Sequence, residues 1–419
     1  MHREFGVLLI VFIYLILPGL ACSDMSEDER AFLLMYFKED EIQVISSTRN
    51  LKSVSRVAEN VTVITKEEIE SINAHSLAEV LNTVNGVQIN FATASPGGSA
   101  SAFIQGSAFS QVAILIDGVS LNNLGESAVD LGQIPVQNIE KIEIVKGPAS
   151  SAWGSALGGV INIITKSPQD KGVNGTASVS YGWRNTEDSR VELSGKSGDA
   201  GFYISAGRIH SDGLRPMTDV AANNFYTKLT YDVSSSTDIT STLSYINSKK
   251  GEGDLSELDL LSTLKTENLF STLSVNSNLS RELSINASIN AQRQRFTRNI
   301  NQASTGEDLG TEITDDRRYG ASAKLIWKPG DHTVVVGSDY DNGTERLHLT
   351  IDGEQQLRRL AFFANDTIKL GNLAIMSGLR YDDTSTNGSF TSPSIGATYL
   401  FAKNTICLLY TSPSPRDTR

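Results

Sequence analysis

From about residue 170 the chain alternates apolar and polar residues with a period of two, almost to its end. In "TASVSYGWR", Ala177, Val179, Tyr181 and Trp183 share one strand face while Thr176, Ser178, Ser180 and Arg184 share the other. "LSINASINA" is stricter, with Leu283, Ile285, Ala287, Ile289 and Ala291 opposing Ser284, Asn286, Ser288 and Asn290. The same alternation recurs around 225–233, 239–245, 269–275, 321–327, 360–368, 373–381 and 395–401. It predicts roughly a dozen strands, each near the 9–11 residues of a tilted membrane crossing. Trp183, Tyr231, Tyr245, Trp327 and Tyr399 stand toward segment ends, and tight turns alternate with long polar connections. A secreted sandwich or adhesin also alternates. Against it, the polar faces are Ser, Thr and Asn rather than mixed charges, and the segments exceed the usual sandwich strand.

Residues 54 to 166 have a different texture. Thr65 with Glu68, and Ser76 with Glu79, predict two helices that open on capping boxes. In the second, Leu77, Val80, Leu81 and Val84 fall on one face, and Asn85-Gly86 supply a stop. Short strands flank these helices: 61–64 before them, and after them "VAILIDGVSL", with Asp117-Gly118 as a hairpin turn. "IEKIEIVKG" and "GGVINIIT" complete a compact α+β unit. Ten of the fourteen residues from Lys146 to Gly159 are Gly, Ala or Ser, a slack loop fastened to a stiff strand. It is not a phosphate loop, because no Lys-Ser/Thr follows Gly159 and no helix opens there.

The ends narrow the compartment. His2 and Arg3, the apolar run from Phe5 to Leu17, and small residues at Gly19 and Ala21 predict a cleaved secretory signal over 1–21. The alternatives are an anchoring helix, for which the run is shorter than the roughly 20 residues of a span, and lipidation of Cys22. The two cysteines, Cys22 and Cys407, make no disulfide framework. A formal net charge of -12 argues against nucleic acid as a partner. The five histidines show no metal-ligand spacing, and the chain has neither HExxH nor a nucleophile elbow, so an enzyme is not expected. The acidic loops 251–262 and 305–316 read as solvated charge, with Ca²⁺ binding as the alternative.

With those residues in view, 61–166 resembles the plug domain of TonB-dependent outer-membrane receptors. "ENVTVITKEEI", "LAEVLNTVNGVQIN", "FIQG", "VAILIDGV" and "IPVQNIEKIEIVKGPASSAWGSALGGVINIITK" stand in the family's order and spacing. Gln105, Gly106, Asp117, Gly118, Lys146, Gly147, Pro148, Trp153, Gly154, Gly158 and Gly159 carry that motif. The resemblance implies an α+β plug followed by an antiparallel transmembrane β-barrel in the outer membrane of a Gram-negative bacterium. The implied organisation is a periplasmic segment over 22–53, a plug over 54–168 and barrel over 169–405. Gln105 departs from the family, which often has Arg there to hold plug to barrel through carboxylates.

The resemblance also implies a mechanism: import of a scarce nutrient, driven by TonB pulling on a short segment that pairs with it as an added strand. Glu41, Ile42, Gln43, Val44, Ile45 and Ser46 are the candidates, a plain linker strand being the alternative. Cargo would rest on outward plug loops at 91–101 and 121–132, where Phe91, Ser95, Gly97, Asn122, Asn123 and Ser127 are the candidate contacts or else merely solvated. A ferric siderophore is the first expectation for cargo and cobalamin the second, in a monomer surrounded by outer-membrane lipids with no cofactor of its own. From a different class, a passive binding or adhesion protein remains the alternative.

After Phe401 the pattern gives way to a Pro-containing tail that ends on Arg419 rather than on an aromatic residue. The alternating part suffices for about half of the 22 strands that enclose a plugged lumen. The expectation is therefore an incomplete barrel with unpaired edges, and a tail over 406–419 foreign to the protein.

Overall fold

The computed structural model describes residues 43–93, 95–168, 172–253, 256–348, 353–402 and 405–411. The expected signal segment, Cys22, Glu41, Ile42 and the last residues of the tail lie outside them. The plug and the wall described below both belong to one compact unit, Val44–Arg419.

The plug is built on a five-stranded sheet. β1 (Asn60–Thr65) leads into α1 (Lys66–Ile72) and α2 (Leu77–Leu81). There follow a hairpin of β2 (Val87–Phe91) and β3 (Ala100–Ile104), then β4 (Val112–Ile116) and β5 (Val119–Ser120). β6 (Ile139–Lys146), the short α3 (Ser150–Trp153) and β7 (Gly159–Thr165) complete it. The sheet order is β1-β6-β7-β4-β5, with β4 and β7 parallel and the other pairs antiparallel. Its core is branched aliphatic: Ile142, Ile144, Ile161 and Ile163 from the sheet pack on Leu77 and Leu81 of α2, all essentially inaccessible. Each such side chain removed from water contributes about 1.5–3 kcal/mol.

Three local expectations need correction. Thr65 and Glu68 form the expected capping box on α1, but the Ser76 hydroxyl caps no backbone amide of its helix and donates to the Glu79 carboxylate at 3.2 Å. Glu79 instead accepts the amide of His75 at 2.9 Å, so that carboxylate caps one residue early. α2 also ends at Leu81, with Asn82 as its cap, before the Asn85-Gly86 stop. The Gly/Ala/Ser stretch is not slack. It winds into α3, and Ala149, Ala152 and Ala156 are buried.

The wall is a single antiparallel sheet of thirteen strands in chain order. These are β8 (Gly172–Gly182), β9 (Thr186–Ser197), β10 (Ala200–Ser211), β11 (Val220–Ser234), β12 (Thr237–Gly251) and β13 (Leu260–Asn278). They continue through β14 (Leu283–Gln302), β15 (Asp308–Trp327), β16 (His332–His348), β17 (Gly353–Leu370), β18 (Leu373–Thr384), β19 (Gly388–Ala402) and β20 (Thr405–Thr411). Among the described residues β8 and β20 do not pair with one another, so the sheet stays open. It is inside-out relative to a water-soluble sheet. Ile289, Tyr319, Phe362 and Leu379 are exposed on the outer face, whereas Thr242, Ser248, Thr266 and Thr398 are buried on the face toward the plug. Only a solvent of hydrocarbon makes that partition favourable.

The strands are longer than the periodicity predicts. β14 and β15 run for 20 residues each, about 65 Å at ~3.3 Å per residue, and so project well past a bilayer. The segment expected as a polar loop at 305–316 is strand from Asp308 onward. β20 is a further correction: the pattern does not stop after Phe401, because 405–411 pairs with β19.

Candidate functional site

The plug meets the wall at two levels. At the short-turn end, the amides of Ile45 and Ser46 both donate to Glu143 Oε2 at 2.9 Å, and the Ser46 hydroxyl donates to the same oxygen at 2.5 Å. Asn162 Nδ2 donates to that hydroxyl at 3.0 Å, and Trp153 Nε1 to the Ser46 carbonyl at 2.6 Å. Val44 and Ser46 are fully buried. Half of the expected TonB-contact segment is therefore stitched to β6, β7 and α3 by side chains of the "KIEIVKG" and "GVINIIT" strands.

A few residues on, Arg49 leaves the plug and forms a two-point ion pair with Asp339 on β16 at 2.7 and 3.0 Å. It also donates to Ser322 at 3.2 Å. Its guanidinium stacks between two rings, 4.6 Å from the centroid of Trp153 and 4.3 Å from that of Phe363, a geometry that suits arginine better than lysine. Lys324 donates to the Arg49 carbonyl at 2.6 Å. Lys52 reaches Thr367, and burial pushes the Lys52 ammonium down to about 8. Arg380 on β18 reaches Asp339 at 2.8 Å, holds Asp382 at 2.8 and 3.0 Å, and touches the Ala152 carbonyl at 3.3 Å.

This cluster explains the small-residue stretch. A Cβ on Gly154, whose φ is +72°, would lie 3.3 Å from both Arg380 Nε and Asp382 Oδ1. Within the plug itself, a Cβ on Gly158 would lie 2.3 Å from Ser107 Oγ. Gly, Ala and Ser are what let α3 and its flanks lie against the ion-paired wall.

At the long-loop end the plug's outward loops are tied as well. Leu124 N donates to Asp316 Oδ2 at 2.6 Å, Gln294 Nε2 to the Leu121 carbonyl at 2.7 Å, and Arg318 to the Ser120 carbonyl. Asp130 takes the Lys250 ammonium at 2.6 Å. Between the levels, Asp117 of the hairpin turn pairs with Lys228 at 3.2 Å and accepts from Thr165 at 2.9 and 2.6 Å. His75 Nδ1 lies 2.5 Å from Asp188 on β9, beside Arg190. The hydrogen bond to that carboxylate raises the His75 pKa above its ordinary value.

The expected cargo contacts separate into three kinds. Phe91 is exposed, and Asn123 and Ser127 are half-buried. Ser95 is buried and bonded to Thr218 of the wall at 2.9 Å, while Gly97 packs on Val220. Asn122 is also buried, accepting from Ile114 N at 2.9 Å and donating to the carbonyls of Val112 and Ser127 at 2.9 and 2.8 Å. Its amide shapes the loop. The exposed tip is Gly125 and Glu126, which the sequence reading passed over. Gln105 is exposed with φ +50° in a tight turn with Gly106, and the plug is held by the pairs described above. Lys146 reaches the Asn85 carbonyl at 2.8 Å. The acidic residues of the two candidate loops are spread among separate partners. Glu252 and Glu312 pair with Arg298, Asp315 pairs with Arg293 and Arg317, and Asp259 accepts from Ser304 and Gln302.

Arg49, Asp339, Arg380 and Asp382 were missed by sequence reasoning. A signal was present: in "SDYDNG" and "LRYDD" charged residues alternate with aromatics, as they must where one face meets lipid and the other meets a protein plug.

Comparison with known proteins bears on the whole arrangement. Residues 53–160 match the TonB-dependent receptor plug domain, and residues 165–412 match the TonB-dependent receptor-like β-barrel. The chain is 39% identical over 127 residues to the vitamin B12 transporter BtuB of Vibrio cholerae serotype O1, covering 30% of this chain and 21% of that protein. It is 32% identical over 191 residues to BtuB of Vibrio vulnificus, covering 43% and 30% respectively. Among solved structures, BauA, the ferric preacinetobactin receptor of Acinetobacter baumannii, superposes with a TM-score of 0.71 at 15% identity, over 86% of this chain and 64% of that one. The copper transporter OprC gives 0.67 at 16% identity, over 82% and 61%. The matched stretches thus span less than a third of these curated relatives.

Proposed function

The chain belongs to the TonB-dependent receptors of the Gram-negative outer membrane, and from that premise we propose that it serves in energised import of a bulky metal chelate. The outer membrane holds no nucleotide and no usable ion gradient, so work must reach the plug mechanically. The observation that carries the proposal is the burial of Val44 and Ser46 in the same network that reaches Asp339 through Arg49. A segment so placed links a pull from the periplasm to plug strands and wall at once. Pairing with TonB by strand addition requires a free backbone edge, so Ser46 has to leave Glu143 and Trp153 before a partner can hold it. The Phe91, Asn123 and Glu126 surface at the opposite end is where cargo would settle.

Two cargo readings stand. The resemblance of the plug suggests a ferric siderophore. Cobalamin is favoured by a specific observation: the relatives at 32–39% identity are vitamin B12 transporters. The test is uptake in cells that depend on this receptor, supplied with labelled cobalamin or with labelled ferric chelates. Deletion of 41–46 should abolish accumulation of the true cargo while surface binding persists. Unchanged accumulation would refute energised import and favour passive binding.

A further inference from the structure

The joint between plug and wall changes chemistry from one side of the plug to the other. Toward β10, β11 and β13 the apolar core runs through the joint without a break. Tyr203, Tyr226 and Phe270 of the wall are buried in one cluster with Ile144, Ile161 and Ile163 of the plug sheet. Both tyrosine hydroxyls also bond to the plug, Tyr203 to the Gln137 carbonyl at 3.1 Å and Tyr226 to Thr165 Oγ1 at 2.8 Å. Thr165 closes β7 just ahead of the covalent connection to β8, and its carbonyl accepts from Lys228 Nζ at 3.1 Å.

Toward β16 to β19, where α3 lies, the core is interrupted. Among the described residues, Leu115, Val145, Ala149, Ala156 and Val160 form a cluster drawn from the plug alone, and Ile326, Val335 and Phe363 one drawn from the wall alone. Between the two lies a layer of ions, Arg49, Asp339, Arg380 and Asp382. Arg49 is stacked from Trp153, which packs on the plug cluster, to Phe363 of the wall cluster. The two joints respond differently to water. Parting an apolar joint exposes its area with nothing in return. Parting an ionic one rehydrates both members, which recovers the desolvation cost that their attraction had to offset. The ionic side is therefore the weak side. It is also the side on which Ser46 and Arg49 are seated, so a pull on that segment arrives there.

We propose that the plug opens on this side only. α3 and its flanks part from β16 to β19 while the plug sheet stays on β10 to β13, and cargo passes along an inner wall face that carries Arg380, Asp382, Ala361 and Gly378. Such a lining is charged and interspersed with small residues, which suits a hydrated chelate better than an apolar one. The inference rests on the import reading and adds the route to it.

Two hydroxyl pairs of similar span cross the joint, one on each side, and both convert to cysteine pairs. Ser151 of α3 meets Ser394 of β19 at 2.8 Å, and Ser95 meets Thr218, just before β11, at 2.9 Å. In cells that accumulate the cargo, oxidised S151C/S394C should import about tenfold less than the parent or worse, and recover on reduction. Oxidised S95C/T218C should stay within about twofold of the parent. Import through crosslinked S151C/S394C would overturn the proposal. So would an equal block by both pairs, which would mean that the plug moves as a whole.

Purified receptor tests the same inference apart from import. Ser151 and Ser95 are alike in burial, at 5% and 4% exposure. In moderate urea, with neither TonB nor cargo, the S151C thiol should label about tenfold faster than the S95C thiol, read by mass spectrometry of the labelled peptide. Equal rates, or a faster S95C, would overturn one-sided opening whether or not cells import the cargo. A parent receptor that imports nothing while the labelling order holds would instead remove the import reading and leave the weak side in place.

Discussion

Arg49 and Asp339 lie 290 positions apart in the chain, yet meet in a two-point ion pair at 2.7 and 3.0 Å. Both side chains are largely buried. The pair joins the segment that would be pulled to the wall that stays still, and Arg380 shares the same carboxylate. Two guanidiniums on one aspartate leave little room for a neutral replacement.

Removing that carboxylate should release the segment. Asp339→Asn leaves Arg49 and Arg380 facing each other with no anion between them, and breaking a buried pair costs about 3–5 kcal/mol. With a cysteine placed at Ile45, thiol labelling in the absence of TonB should speed up by about a hundredfold or more. An unchanged rate would mean that Glu143 alone holds the segment.

Trp153→Phe offers a smaller perturbation. It retains a ring under Arg49 but loses the 2.6 Å bond from Nε1 to the Ser46 carbonyl. One such bond contributes about 1 kcal/mol net, so the labelling rate at residue 45 should rise by about fivefold. Glu143→Gln weakens three bonds to Ile45 and Ser46 together and should exceed it.

How far these features were legible in the sequence follows the range of the interaction. The wall was legible because alternation is a property of neighbours, visible in 283–291 without knowing what lies opposite. The Thr65–Glu68 cap was legible for the same reason. Ser76–Glu79 has the same spacing, but its carboxylate found the amide of His75 instead. Asn122 reads like a loop residue free to meet cargo, and only the fold shows its amide fully occupied by Val112, Ile114 and Ser127. Strand ends were missed because extensions such as 308–316 are mostly polar, with only Leu309 and Ile313 to mark an apolar face.

Gly159 should tolerate no side chain. Its φ is +144°, and an added Cβ would come within 2.4 Å of the Val145 carbonyl in the neighbouring strand. Gly159→Ala therefore has to displace backbone at the start of β7, not just a side chain. The plug should become sensitive to protease in folded receptor, while the wall keeps its heat-modifiable migration. A protease-resistant plug would show that β7 can shift at little cost.

The last prediction concerns pH. His75 opens the loop before α2 and pairs with Asp188 of the wall at 2.5 Å; Arg190 and Glu79 also face it. The hydrogen bond to Asp188 is the largest cause of its raised pKa, with burial opposing it. A histidine whose folded pKa is raised binds its proton more tightly in the folded state. The stabilisation is therefore fully present below the unfolded value of about 6.5 and is lost as pH rises through the higher folded value. Hydrogen exchange of the α2 amides should accordingly be slower at mildly acidic than at mildly alkaline pH, after correction for intrinsic exchange. In His75→Ala that difference should vanish, since Arg190 keeps its bond to the Ala74 carbonyl at 2.9 Å and Asp188 keeps Arg190 at either pH. A pH dependence that survives the substitution would assign it to another group, and the contact between His75 and Asp188 would then be one of packing alone.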